Sequence, residues 1–478
     1  MTSVLCGRRR RCRPRSSQAR WTKARTNAAV MLARQAVAVV VVMVAWFAVN
    51  VGRADVVVYV ATSGDDGNAG TNESPLATLA AAMARIDSRA GGEVRLLDGT
   101  WDDRSRVTGA FAKPVVIRAV HAGRAVLRDC LIHAAENVVL DGIVFDGRDN
   151  PAITNVCQVS QSRYVTLRNS EFTHGVDGHQ NADALKVNDG SHHVLVERCR
   201  LHDGTDEELD ILQADVHDLV FRDNVFHQVR IRKPEAGASV KKNAHRVAFI
   251  GNLFANMNAE ASNGGLRFGG SERTDERPHD LLAVGNAFIN NDGRCDLNLG
   301  GATRVVIAEN VFFGQRGCGV IEASTNYPAG GNPNDDIFIV NNIVADPTGR
   351  LPTIYAWRNG TVERLTIRNN LYFNGGVRIP SKGQGRAFFN PLEEEESQVA
   401  DPLFVGSLEF TGIPSLRWRD AVAVRGDSPF RRGRVHVEQL NLPSSLREFY
   451  AACTSGQGGD VWYGALSRSG EPPRRDAE

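Results

Sequence analysis

The stretch LVFRDNVF at residues 219–226 returns as VAFIGNLF at residues 247–254. Both copies contain two or three alternating β-formers followed by x-Asn-x-Phe, and weaker copies occur elsewhere in the chain. Nine copies are centred on Ile143, Ser170, Cys199, Asn224, Asn252, Asn286, Asn310, Asn342 and Asn370. Self-similarity at a short, nearly constant period is typical of a stacked repeat protein.

The period and the short strands predict an all-β fold, a parallel β-solenoid, because no helical pattern runs through the repeats. WD40 blades and ankyrin repeats fit neither the period nor the pattern. Each coil would contribute short strands whose alternate side chains point into one stacked interior. Asn tolerates a left-handed backbone, so we expect it at a tight turn, and stacked Asn side chains can bond along the row. The asparagines are therefore interpreted as scaffold.

A solenoid needs covered ends, and residues 75–86 (PLATLAAAMARI) predict an amphipathic helix that caps the N-terminal end. Ser74 would be its N-cap and Pro75 its first helical residue. The first strand of the coils would begin at Val94, after Gly91-Gly92.

The charge is unevenly distributed along the chain. Residues 1–54 hold 11 of the 56 Lys and Arg and none of the 55 Asp and Glu. The remainder has 45 bases against 55 acids, a net charge of −10. Binding to phosphate backbones needs a basic surface, so nucleic acid is excluded as a partner.

The first 54 residues predict a signal peptide. An apolar run at residues 36–49 is too short for a comfortable membrane span, and Gly52 and Ala54 form a small-x-small cleavage site. Met31 would be the start of a signal of normal length, so residues 1–30 are interpreted as an over-extended start; an uncleaved anchor is the alternative. We expect a secreted protein with no stable membrane span after cleavage, acting as a monomer.

Six of the eight cysteines lie beyond this leader, and none forms a CxxC motif that would indicate a zinc site. Cys295 and Cys318 are about one coil apart, which allows a disulfide or a buried cysteine stack.

The beginning and end of the chain are similar to known proteins. YVATSGDDGNAGT at residues 59–71 with SPLATL at 74–79, then ADPLF at 400–404, GDSP at 426–429 and DVWYGA at 460–465, resemble secreted right-handed parallel β-helix proteins of the pectate-lyase-like superfamily. The resemblance implies a signal peptide at 1–54, an N-terminal cap at 55–93, right-handed β-helix coils at 94–375 and a C-terminal cap and tail at 376–478. It does not fix a reaction, because this fold serves many.

Enzymes of this superfamily work in a groove along one outward sheet face. When the inward apolar pairs of successive coils are aligned, Lys186, Asp210, Arg267 and Asn298 become the outward residues. We expect substrate contacts from Lys186, Asn298, Trp357 and Arg358. Tyr355 would either stack on a sugar ring or close the last coils.

Two acidic phrases resemble the calcium site of family 9 pectate lyases. They are Asn181-Ala182-Asp183 and, one coil later, DEELD at residues 206–210. Converging carboxylates repel unless a cation joins them, and Ca²⁺ accepts several at once. The resemblance implies Ca²⁺ ligands at Asp183, Asp206, Glu207 and Asp210. The match departs from the family at Glu207, which stands for Asp, and at Glu208, which stands for Gly; a solvated acidic rim without metal is the alternative.

The same resemblance implies the catalytic residues. In that family a lysine on a strand after the calcium coil is the base, and Lys241 occupies this place. It would remove the proton α to a uronic carboxylate, which Arg267 would bind through its guanidinium fork. A solvated lysine at a strand end and an arginine in a surface ion pair are the alternative interpretations.

The sequence thus predicts a secreted carbohydrate-active β-helix protein, a lyase that cleaves an acidic polysaccharide by β-elimination with Ca²⁺. One alternative is a non-catalytic protein that binds glycan or serves at the cell surface. Another is a glycoside hydrolase with paired acids among Glu208, Asp210 and Asp296. His192, His193 and His217 are interpreted as surface histidines at turns.

Overall fold

The computed structural model describes most of the chain beyond the leader, and the statements below concern these residues. They are residues 56–148, 154–175, 182–213, 215–228, 236–257, 264–270, 276–324, 331–357, 361–380, 395–406, 408, 418–431 and 435–454. The predicted signal peptide therefore lies outside the described residues.

The fold is a right-handed parallel β-helix of about nine turns, which confirms the solenoid predicted from the repeats. Each regular coil gives one strand to each of three parallel ladders, and a loop then leads to the next coil. Right-handed crossovers are the rule where parallel strands follow one another in this way.

The first ladder begins in two long strands that also enter the second ladder. Its strands are Ser105–Ala119, Cys130–Asp141, Asn155–Ser160, Asp183–Asn188, Glu207–Ile211, Ala236–Val240, Leu266–Gly269, Leu297–Gly300, Gly319–Ser324 and Thr353–Trp357.

The second ladder shares those two long strands. Its other strands are Val57–Val60, Gly92–Leu96, Arg163–Arg168, His192–Glu197, His217–Arg222, His245–Ile250, His279–Val284, Thr303–Ala308, Asn334–Val340 and Val362–Arg368.

The third ladder consists of shorter strands. These are Gly99–Trp101, Ala125–Leu127, Val144–Asp146, Glu171–Thr173, Arg200–His202, Val225–His227, Leu253–Ala255, Ala287–Ile289, Val311–Phe313, Ile343–Ala345, Leu371–Phe373 and Gln398–Val399.

The repeated asparagines form one hydrogen-bonded row between the second and third ladders. Each side-chain amide donates to the Oδ1 atom of the asparagine one coil on, at distances of 3.1, 3.0, 3.0, 2.9 and 3.0 Å from Asn224 to Asn370. Each amide also donates to a backbone carbonyl of the preceding coil, as Asn286 does to Phe249 at 2.9 Å. The asparagines are fully buried, and their predicted role as scaffold is confirmed.

The left-handed residue of this turn is not the asparagine, so that part of the prediction is wrong. The residue before it has the positive φ, for example 61° at Asp223, 62° at Gly251 and 58° at Glu309. The turn is made one residue earlier, and the asparagine can therefore point inward and bond to its neighbours.

The helix predicted at residues 75–86 is wrong in extent and is not a long N-terminal cap. The structure has a seven-residue helix at Leu79–Arg85, and the Thr78 hydroxyl accepts from the Ala81 amide at 3.1 Å as its N-cap. The helix cannot start at Pro75 because the backbone of Leu76 bonds to Tyr59 and Ala61 of the first strand segment.

The longer helix, Ser444–Thr454, lies near the C-terminus and was not predicted. Three single 3₁₀ turns precede it at Trp418–Asp420, Pro429–Arg431 and Val437–Gln439. No helix among the described residues is both long and apolar enough to cross a membrane.

The cysteines differ from the expected pairing. Cys295 is buried and Cys318 is exposed, and both keep their thiols, so they form neither a disulfide nor a buried stack. Cys130 and Cys157 are instead opposite each other in the first ladder, with both thiols inside the core.

The C-terminal segment covers the outer faces of two ladders. Trp418, Val422 and Phe430 pack on the outward apolar residues of the third ladder. Leu446 and Phe449 do the same on the second ladder. The outward row of the first ladder takes no part in either cluster and is largely polar.

If the asparagine row holds the coils together, Asn286→Ala should lower the free energy of unfolding by about 1–3 kcal/mol. The reason is that the buried polar groups of Asn252 and Asn310 lose their partner. Denaturant unfolding of the purified protein measures this. The control Asn72→Ala changes an exposed residue and should leave the unfolding free energy nearly unchanged. Equal effects of the two substitutions would contradict the role given to the row.

Candidate functional site

A continuous row of residues points outward from the first ladder, and its register agrees with the alignment made from the sequence. Lys186 pairs with Asp210, and Arg267 pairs with Asn298. From the third strand of the ladder onward, the row is Gln158, Lys186, Asp210, Ser239, Arg267, Asn298, Glu322 and Ala356. Neighbouring members are about 4.8 Å apart, the spacing of hydrogen-bonded strands.

Ser239 lies between Asp210 and Arg267 in this row and was not among the site residues predicted from the sequence. Its signal was present, because the inward pair Ala238 and Val240 makes Ser239 the outward residue of its strand. Ser239 is fully buried, and its hydroxyl has no hydrogen-bond partner in the described part of the chain.

Two lysines and three carboxylates meet at the start of the row. Lys186 Nζ lies 2.8 Å from Asp183 Oδ2 and 2.7 Å from Asp210 Oδ2. Lys241 Nζ lies 3.2 Å from Asp210 Oδ1 and also forms an ion pair with Glu207. Asp210 therefore bridges the two ammonium groups, and these five residues will be called the lysine–carboxylate cluster.

The local structure explains how residues from three coils meet. Asp183 and Glu207 begin adjacent strands, and the Glu207 amide donates to Asp183 Oδ1 at 3.2 Å. Lys241 follows the next strand, where its amide donates to the Ile211 carbonyl at 2.9 Å. Its side chain then extends back to the preceding coil and reaches Glu207.

The four predicted calcium ligands are brought together in part. Carboxylate oxygens of Asp183, Asp206 and Glu207 lie within 4.8 Å of one another. Asp210 joins them through the shared lysines. With two ammonium groups, the four carboxylates give a formal local charge of −2.

The oxygen donors of this group suit a divalent ion. Ca²⁺ binds six to eight oxygens, including carboxylates, in flexible geometries. Glu207 is fully buried, and its Oε2 atom has no hydrogen-bond partner within the described chain. A buried carboxylate oxygen without a partner, beside an excess of negative charge, fits a Ca²⁺ site at Asp183, Asp206, Glu207 and Asp210.

Burial and charge crowding shift the ionisation of the cluster. Burial, with the nearby Asp210 charge, raises the pKa of Asp183 to about 6. The same two causes raise the pKa of Glu207 well above its ordinary value. Burial disfavours the ammonium form of Lys186, but the carboxylates of Asp183 and Asp210 outweigh it and raise its pKa.

Arg267 lies one coil beyond Ser239 and is half-buried. Its guanidinium packs tightly against Gly270, which has a φ of 87°, and a Cβ atom there would collide with Nη2. The left-handed backbone at this position therefore favours glycine.

Asn298 and Glu322 follow in the row and are mostly buried. Glu322 accepts hydrogen bonds from two Arg294 nitrogens, Nε at 2.5 Å and Nη2 at 2.6 Å. The residues predicted beyond Glu322, namely Tyr355, Trp357 and Arg358, have different outcomes. Tyr355 is 1% exposed and its hydroxyl lies 2.6 Å from that of Tyr372, so it closes the last coils and does not face a sugar.

Trp357 ends a strand of the first ladder, Thr353–Trp357. Arg358 lies outside the described residues, as does Asn181 of the first acidic phrase. The substrate-binding roles of Trp357 and Arg358 remain predictions.

The two remaining acids proposed for hydrolysis are both fully buried. Glu208 accepts from the Gly204 amide at 2.7 Å, and burial raises its pKa to about 8. Asp296 accepts from Asn291 at 2.8 Å and from Gln315 at 3.2 Å, and burial raises its pKa to about 8 as well.

Comparisons with solved structures find other β-helix proteins. The pectate lyase Pel9A is 16% identical, with 68% of this chain and 82% of that chain covered and a TM-score of 0.44. The A-module of the mannuronan C-5 epimerase AlgE4 from Azotobacter vinelandii is 15% identical, with 71% and 95% covered and a TM-score of 0.45. The Streptococcus pneumoniae surface adhesin PfbA is 15% identical, with 62% and 79% covered and a TM-score of 0.44.

These proteins share coil stacking with this chain, and likeness at this level carries no argument about reaction or equivalent residues. No protein-family model matches the sequence. No curated protein matches it either.

Lys186→Met should lower the free energy of unfolding by about 3–5 kcal/mol, the usual cost of breaking a buried ion pair from one side. The substitution leaves the buried carboxylates of Asp183 and Asp210 without their shared cation. Urea unfolding measures the change. The control Lys113→Met removes an exposed lysine and should leave stability nearly unchanged. A Lys186 variant as stable as this control would show that the ion pairs do not form.

Asp296 should make stability fall as the pH rises. Its pKa of about 8 exceeds the ordinary value of 3.8, so between these values the folded protein keeps a proton that the unfolded chain loses. The loss is about 1 kcal/mol per pH unit across that window. Asp296→Asn keeps the accepting oxygen but does not titrate, so its unfolding free energy should depend less on pH.

Unfolding free energies of both proteins at about pH 5 and about pH 8 test this. Asp292→Asn, at an exposed position, is the control and should keep the slope of the parent protein. An Asp296→Asn slope equal to the parent slope would show that this carboxyl is not protonated in the folded state.

Proposed function

We propose that this protein is an extracellular carbohydrate-active β-helix protein, a lyase that cleaves a uronic-acid polysaccharide by β-elimination. The observation that carries the proposal is the outward row of the first ladder. Asp210, Ser239 and Arg267 lie on successive coils of this row, and Lys241, which follows the strand of Ser239, forms an ion pair with Asp210. A linear polymer that follows the solenoid axis would meet these residues in succession.

Each residue has a distinct task in such a reaction. Arg267 would bind the uronate carboxylate and stabilise the negative charge that develops on it. Lys241 would take the proton from the carbon next to that carboxylate. The C–H electron pair becomes the new carbon–carbon double bond, the glycosidic C–O bond breaks, and the leaving oxygen receives a proton from water.

The carboxylates of the cluster would control the base. While Glu207 and Asp210 pair with Lys241, they favour its ammonium form, which cannot accept a proton. Ca²⁺, when bound, would supply positive charge for a polyanionic substrate and compete with the lysine for these oxygens. The proposal therefore includes a requirement for a divalent cation. The chain beyond its leader has a net charge of −10. The cation would provide local positive charge that attracts a polyanion.

Hydrolysis is less well supported than elimination. Two of the three acids considered for it, Glu208 and Asp296, are fully buried and bonded to neighbouring groups. A carboxyl that protonates a glycosidic oxygen must reach the substrate. The residues proposed for elimination are more accessible. Arg267 is half-buried, and the Lys241 side chain retains 14% exposure.

The purified protein should produce unsaturated, ultraviolet-absorbing ends from pectate, alginate or a glycosaminoglycan when Ca²⁺ is present. Lys241→Ala should lower the rate by about 10²–10⁴-fold, the usual contribution of a general base. The control is Lys242→Asn, which changes the adjacent lysine. Lys242 has a φ of 57°. Asn suits this left-handed backbone, so the control should keep the parent rate.

The products distinguish the alternatives. Retention of glycan without new double bonds or ends, unchanged in Lys241→Ala, would indicate a binding protein. New reducing ends without a double bond would indicate a hydrolase. Either result would reject the elimination mechanism.

A further inference from the structure

A second set of titratable side chains lies on another edge of the solenoid and has no part in the proposed reaction. Histidines begin four successive strands of the second ladder, where His192, His217, His245 and His279 are in register. Their rings stack with centroid separations of 4.8, 5.2 and 4.8 Å. Three histidines here, two of them in this row, were predicted from the sequence only as surface residues.

The residue after each histidine turns back towards the same side. His193 has a φ of 55° and Asp218 a φ of 56°, so consecutive side chains do not alternate as they would in a regular strand. His192 Nδ1 consequently lies 2.8 Å from His193 Nδ1. In the next coil His217 Nδ1 lies 2.8 Å from Asp218 Oδ2.

Donor atoms from two coils therefore converge. One ligand-type atom each from His193, His217 and Asp218 lies within 4.8 Å of the other two. Around a tetrahedral zinc ion, with bonds of about 2.0–2.1 Å, ligand atoms are roughly 3.4 Å apart. Small side-chain rotations would bring the three atoms to that spacing.

We propose that His193, His217 and Asp218 form a binding site for one Zn²⁺ ion, with His192 or water as the fourth ligand. Imidazole nitrogens combined with one carboxylate are donors that zinc favours, whereas Ca²⁺ prefers oxygen alone. The acids at residues 183–210 have only oxygen donors. The described part of the chain thus holds two candidate metal sites of different chemistry on different ladders.

Neighbouring side chains hold two of the three proposed ligands, Asp218 and His193, in position. Arg246 Nε lies 2.5 Å from Asp218 Oδ1, which fixes the carboxylate and leaves Oδ2 on the histidine side. The ring of Tyr164 lies 4.8 Å from that of His193 and supports it from the preceding coil. Partners of this kind orient metal ligands in proteins.

The site is also accessible to an ion from solution. The His217 side chain is 30% exposed and His193 is partly exposed. The C-terminal helix contacts the same edge farther along, where Ser445 donates to Asp280 at 2.9 Å and Arg246 stacks on Phe449 at 5.0 Å. The three proposed ligands lie on the coils before those contacts.

Titration calorimetry of the metal-free full chain with Zn²⁺ tests the proposal. We expect one equivalent to bind, and binding to weaken by on the order of tenfold or more in His193→Asn and in His217→Gln. Asn suits the left-handed backbone at position 193. The control His121→Gln removes an exposed histidine that pairs with a single carboxylate, Asp98, at 2.9 Å, and it should bind Zn²⁺ as the parent does.

Two further readouts separate lost binding from misfolding or from binding at the other acids. The two variants should keep the melting temperature of the metal-free parent but lose its rise with Zn²⁺. Asp183→Asn should retain Zn²⁺ binding. Cu²⁺ placed in the site should show nitrogen couplings by electron paramagnetic resonance.

The proposal is overturned if the parent binds no Zn²⁺, or if both histidine variants bind it as well as His121→Gln does. It is also overturned if Cu²⁺ shows oxygen ligands alone, or if Asp183→Asn abolishes binding. None of these results depends on whether the protein cleaves a polysaccharide.

Discussion

The buried row of asparagine amides is the interaction on which the rest of the structure depends. Each amide in the row bonds to the next asparagine and to a backbone carbonyl, so a shift of one residue in any coil between Asn224 and Asn370 would leave several buried polar groups unsatisfied. The row thereby fixes the register between coils. Register in turn sets which outward residues become neighbours, and it places Lys186 beside Asp210 on one ladder and His192 beside His217 on another.

The outward faces of the three ladders are used differently. Apolar side chains on the second and third ladders are covered by the C-terminal segment, which includes Trp418 and Phe449. The first ladder instead carries charged side chains that are mostly buried, and this is tolerated because the charges alternate. Lys186 and Lys241 are held between carboxylates, and Glu322 is held by Arg294.

The sequence was sufficient for the coil pattern and for the outward alignment of Lys186, Asp210, Arg267 and Asn298, because side-chain alternation in strands follows a fixed period of two. The sequence did not predict contacts that depend on how far a side chain extends or on segments distant in the chain. Lys241 turns back to Glu207 of the preceding coil, and Leu76 is held by strand contacts that delay the helix. The unlinked thiols of Cys295 and Cys318 show that one-coil spacing does not orient two side chains towards each other.

Coil stacking assembles carboxylates from two coils and lysines on either side into one cluster, which we propose holds a divalent cation. A crystal structure of the protein grown with Ca²⁺ tests it most directly. We expect an ion bound by oxygens of Asp183, Asp206 and Glu207, with the asparagine row continuous beneath it. Well-ordered density with no ion at these carboxylates, or with Asp183 and Asp210 far apart on unstacked coils, would contradict it.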